Sequence, residues 1–80
     1  MNNKSTRKPK GQQSLALIIW ANILRQQYLM GITDAQLCET LGITARTLYN
    51  YQKDPSVLTL RQLQSFLDAL NLEMSSLLVA

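Results

Sequence analysis

Histidine is absent from this 80-residue chain, cysteine occurs once, at Cys38, and glycine only at Gly11, Gly31 and Gly42. Each scarcity removes a class of chemistry. A structural zinc site takes four Cys or His ligands, more than the chain holds. A disulfide framework needs paired cysteines, and a lone thiol fits a reducing, cytoplasmic setting. The three glycines are too widely spaced to compose a phosphate-cradling loop or a dinucleotide fingerprint. The five carboxylates, Asp34, Glu39, Asp54, Asp68 and Glu73, form no paired constellation, and no imidazole is available as a general base. Catalytic, cofactor-binding and metal-binding residues are therefore not expected. Long apolar runs are missing as well. Residues 15–24 are nearly uninterrupted, but a membrane span takes about 20 residues. Trp20 and Asn22 break that run and no small-residue cleavage pattern follows it, so neither a span nor a secretory signal is expected.

The chain has enough apolar content, 46 %, to fold as one small domain. Its net charge of +3 is unevenly placed. Residues 1–33 carry Lys4, Arg7, Lys8, Lys10 and Arg25 with no acid, for +5, whereas residues 34–80 sum to −2. Most of the excess lies in residues 1–13, which hold no apolar side chain after Met1. Such a stretch cannot offset its ordering entropy by burial, so it reads as a flexible basic arm ahead of a folded domain at 14–80. A polyanion suits it as a partner, nucleic acid first; a merely solubilising tail is the plainer alternative.

One local pattern recurs: an apolar residue, then Thr, then Leu four positions after the Thr. It occurs at Ile32-Thr33 with Leu37, at Ile43-Thr44 with Leu48, and at Leu58-Thr59 with Leu63. A Thr hydroxyl in this place accepts from an orphan backbone N–H, and the apolar pair staples the helix start. Gln36 and Gln62 complete capping boxes with Thr33 and Thr59. Leu72-Glu73 with Leu77 is a weaker copy, with the staple but a poor cap. With apolar residues at helical spacing and no strand-like alternation, the chain is expected to be all-α, with five helices near 14–30, 34–41, 45–52, 60–70 and 74–79. Apolar residues surround the first helix. Leu17, Trp20, Leu24 and Tyr28 share one face and Leu15, Ile19, Ile23 and Met30 another; one face suits the core, and the other either needs a further partner, such as a second subunit, or wraps under the last helix so that both become core.

Residues 34–53 read as two short helices joined at Gly42, a tight helix–turn–helix. Cys38 fills the small slot where the helices cross, and Leu37, Leu41, Ile43, Leu48 and Tyr51 fill the junction. An ordinary corner in a small bundle would show the same spacing. The outward side of the second helix favours more. With Leu48 and Tyr51 inward, Arg46, Tyr49, Asn50 and Lys53 share the opposite face. Arg can grip guanine O6 and N7, Asn can pair with adenine, and Ala45 can touch a thymine methyl. Thr44, Thr47 and Tyr49 can bond phosphate.

The stretch from Thr33 to Tyr51, with Asp54-Pro55-Ser56, Leu60-Arg61-Gln62-Leu63, Leu70-Asn71-Leu72 and Leu77-Leu78, resembles the lambda-repressor-like, Cro-type helix-turn-helix regulators of phages and bacteria. The resemblance covers about residues 31–78. It implies a compact five-helix fold whose third helix enters the DNA major groove, with Ala45, Arg46, Tyr49 and Asn50 at base-contacting positions and Thr44 and Thr47 at phosphate. The family often has Gln where this chain has Asp34, a residue that suits the helix dipole and opposes phosphate. The expected function is sequence-specific repression, as a homodimer on an inverted repeat of operator DNA. Lys53 and the arm residues Lys4, Arg7, Lys8 and Lys10 would add contacts. Leu72, Met74, Leu77, Leu78 and Val79 would form the dimer interface. A protein-interaction module such as an antitoxin or antirepressor is the alternative.

Overall fold

The fold is seen in a computed structural model that describes residues 14–79, so the arm residues Lys4, Arg7, Lys8 and Lys10 lie outside the described residues. Four α-helices follow in order: α1 (Leu15–Leu29), α2 (Asp34–Leu41), α3 (Ala45–Lys53) and α4 (Leu60–Leu70). Short 3₁₀ turns occupy Pro55–Val57 and Met74–Leu77, and the described residues contain no strand. The all-helical expectation holds, but the fifth helix does not form. Glu73 makes no side-chain cap bond, and the segment after it closes one 3₁₀ turn of four residues. A helix that short lacks the run of backbone bonds needed to offset its nucleation.

Local chemistry sets the helix boundaries. Thr33 and Thr59 each accept from the backbone N–H three residues on, while Gln36 and Gln62 accept from the Thr33 and Thr59 amides at 2.9 and 3.0 Å. Ser14 and Thr44 cap α1 and α3 in the same way, without the reciprocal bond. Three helices stop by one device. Gly31, Gly42 and Asn71 take left-handed backbone angles with φ of 68°, 72° and 56°. The next amide then reaches back to the carbonyl five residues earlier: Ile32 to Gln27, Ile43 to Cys38 and Leu72 to Leu67, each at 2.9 Å. This is the double-bonded C-terminal motif that satisfies carbonyls the helix cannot. Gly31-Ile32-Thr33 and Gly42-Ile43-Thr44 are therefore the same connector used twice. Its glycine stops one helix, its isoleucine packs on the core, and its threonine starts the next.

The core gathers residues from every α-helix: Ile19, Trp20 and Ile23 from α1; Leu37, Cys38 and Leu41 from α2; Leu48 and Tyr51 from α3; and Leu63, Phe66 and Leu67 from α4. Leu77 completes it. Both apolar faces of α1 contribute to the core, Trp20 from one and Ile19 and Ile23 from the other. Leu17, Leu15, Tyr28 and Met30 stay exposed, Tyr28 at 86 %. A helix apolar all round offers its periodicity no means of marking the inward side. Asn22 is the single buried polar side chain on this helix. Its Nδ2 donates to the carbonyls of Ile18, Leu77 and Val79 at 3.1, 3.0 and 2.8 Å, fastening the final 3₁₀ turn against α1.

Candidate nucleic-acid interface

The helix–turn–helix is built as the connector chemistry dictates. α2 ends at Gly42, the chain reverses through Ile43, and Thr44 opens α3 by accepting from the Thr47 amide at 3.1 Å. Leu48 and Tyr51 turn inward, and the Tyr51 ring meets Trp20 edge-on with centroids 6.0 Å apart. The opposite face of α3 carries Ala45, Arg46, Tyr49, Asn50 and Lys53, all exposed, with Thr44 at its head and half-buried Thr47 at its margin. Every residue assigned to base or phosphate contact on this helix thus lies at or beside one surface, and α3 itself contains no carboxylate.

Two internal contacts shape that surface. Lys53 Nζ sits 4.7 Å from the centroid of the Tyr49 ring, a cation–π arrangement that joins the two side chains along the helix. At the head of α3 the Thr44 hydroxyl donates to Thr47 Oγ1 at 3.0 Å while accepting the Thr47 amide. A hydroxyl owns one hydrogen. One of the pair's two hydroxyl hydrogens is thereby engaged. Beyond α3, the Asp54 carboxylate accepts from the amide and hydroxyl of Ser56, which holds its pKa below the ordinary value and firms the exit turn. Asp34 accepts from Gln27 Nε2 at 2.7 Å and ties the start of α2 to the end of α1.

The residues expected at the dimer interface separate into two groups. Leu77 is fully enclosed in the chain's own core and Leu72 is half-buried against it, so neither offers its side chain to a second copy. That correction has a simple cause: Asn22 draws the segment inward by its backbone, and Leu77 follows. Met74, Leu78 and Val79 remain exposed. On α1, Leu17, Ala21 and Tyr28 form an exposed apolar stripe, while half-buried Leu24 between them packs against the core. Among the described residues, no helix is long and apolar enough to cross a membrane. Comparison of the chain with protein-family models, with curated proteins and with solved structures finds no match.

Proposed function

We propose that this chain is a sequence-specific DNA-binding regulator of the lambda-repressor-like kind, acting as a repressor with α3 in the major groove. The exposed face of α3 carries the proposal. It presents one bidentate guanine donor, Arg46, one adenine-pairing amide, Asn50, and one methyl, Ala45, over a single surface of a helix anchored from behind. Thr47, Tyr49 and Lys53 supply phosphate contacts around them, and Thr44 shapes the helix start. Lys4, Arg7, Lys8 and Lys10 strengthen attraction to any duplex and raise its salt dependence. A single short helix reads few base pairs. Two copies on an inverted repeat, with half-sites about 34 Å apart, would supply the missing discrimination. Met74, Leu78 and Val79, beside the outer stripe of α1, form the proposed contact between copies.

Selection of duplexes from a random pool tests the reading. Recovery of a preferred inverted repeat is the expected result. Arg46→Ala and Asn50→Ala should relax preference at particular positions by about 1–3 kcal/mol each. Removing residues 1–13 should instead weaken all sequences alike and flatten the salt dependence. The exposed Leu17, Tyr28, Leu29 and Met30 favour a second reading, a protein-interaction module such as an antitoxin or antirepressor. A pool that yields no preferred sequence would leave this second reading in possession.

A further inference from the structure

Gln62 serves two structures at once. Within α4 its Oε1 accepts from the Thr59 amide at 3.0 Å, completing the capping box. Gln36 in α2 does the same for Thr33, and no further bond of its side chain is seen among the described residues. Gln62 goes further. Its Nε2 donates to the Tyr51 hydroxyl at 3.0 Å and to the Leu41 carbonyl at 3.4 Å, and the Tyr51 hydroxyl lies 3.2 Å from its Oε1. Leu41 is the last residue of α2, where carbonyls have no partner within the helix. Tyr51 stands on the inward side of α3, its ring against Trp20 of α1. One amide therefore touches the end of α2, the last turn of α3 and the start of α4.

Apolar packing alone leaves a short helix some freedom to roll about its axis, because leucine contacts are non-directional. Hydrogen bonds are directional, and a half-buried amide with all its partners in place fixes one arrangement. We propose that Gln62, acting through the Tyr51 hydroxyl and the Leu41 carbonyl, is the positioning residue that sets the roll of α3 and hence the aim of Arg46 and Asn50. This rests on the DNA-reading function proposed above. Roll matters to reading because base-edge hydrogen bonds are lost over small displacements, whereas attraction to phosphate is not. Disturbing the clasp should therefore degrade discrimination more than affinity for DNA in general.

Two variants isolate the clasp from the cap. Gln62→Glu keeps an acceptor for the Thr59 amide, and a carboxylate in the first turn suits the helix dipole. It loses the donor to the Leu41 carbonyl but can still accept from the Tyr51 hydroxyl, so Tyr51→Phe is the variant that cuts the tie to α3. Tyr51→Phe removes one hydroxyl and leaves the ring on Trp20. For each, residual dipolar couplings give the orientation of α3 against α4 without DNA, and titration gives the affinity ratio between a selected and a scrambled duplex. Rotation of α3 with unchanged α4 couplings, and a ratio reduced about tenfold at near-constant scrambled affinity, is expected. An α3 that stays in place in both variants overturns the proposal, as does a rotated α3 with an unchanged ratio. If the unaltered protein selects no sequence, the DNA reading falls, and the couplings still decide whether Gln62 holds α3.

Discussion

Replacing Asn22 with alanine tests how the final turn is held. The Asn22 amide carries two hydrogens for three carbonyl acceptors, and the Ile18 carbonyl is already served by the helix ladder. The loss is thus chiefly the long-range bonds to Leu77 and Val79. At about 1 kcal/mol net for each, with a further ~1–2 kcal/mol for stranding the buried Leu77 carbonyl, the cost is about 3–4 kcal/mol. A domain this small holds roughly 3–10 kcal/mol in all, so the change should be large and visible. Leu77→Ala removes the other anchor of the same segment, a fully buried side chain, at a cost of about 2–5 kcal/mol. If both anchors hold one turn, its release by either change makes the second cheaper. The double variant should then be more stable than the sum of the singles implies by at least ~1 kcal/mol. Urea titration followed by circular dichroism measures all four proteins, with equal slopes confirming comparable unfolding. Additive costs, or an Asn22→Ala cost below about 0.5 kcal/mol, would refute the two-anchor account.

Other consequences are equally specific. Gly42→Ala should cost about 1 kcal/mol through backbone strain alone, since an added Cβ meets nothing within 4 Å at a φ of 72°. Gly31→Ala should match it, and asparagine should be better tolerated at both positions, as read from urea midpoints. Cys38 is buried, so its thiol should react with a disulfide reagent only as the domain unfolds, and Cys38→Ala should keep the fold. Asp54, with its carboxyl pKa lowered by the Ser56 hydroxyl and amide, favours the folded exit turn above the ordinary carboxylate range. That contribution fades as pH falls through the lowered value. The Ser56 amide resonance should follow this titration, and Asp54→Asn should flatten it.

What could be read from the sequence was local. Thr33, Thr44 and Thr59 cap the helices they precede because the capping hydroxyl and the amide that donates to it lie three residues apart, and Gly42 stops α2 because left-handed angles suit glycine. The stopping half of the connector was legible at the glycines but not at Asn71, where an asparagine does the same work. Long-range partners were not legible. Asn22 reads as a mere interruption of an apolar run, since its acceptors at Leu77 and Val79 are 55 and 57 residues away. Leu77 reads as interface in the sequence but is core in the structure, because an apolar side chain carries no sign of what will cover it. Gln62 is visible as half of a capping box, yet its hold on Tyr51 depends on how α3 and α4 cross. The exposed face of α3 follows from the pattern of two inward residues, Leu48 and Tyr51. Only the structure shows that Lys53 lies back over Tyr49.

That last contact has an entropic side. A free lysine loses about 2 kcal/mol of rotamer freedom when a partner fixes it. Lys53, resting its ammonium over the Tyr49 ring, has surrendered part of that freedom before any partner arrives. An anion approaching this end of α3 meets a charge already localised near the helix and needs to order less of the side chain to bind it. The same tether restrains the tyrosine, so substituting Tyr49 would also set the lysine loose. Substitutions at Tyr49 and Lys53 should therefore be coupled rather than additive.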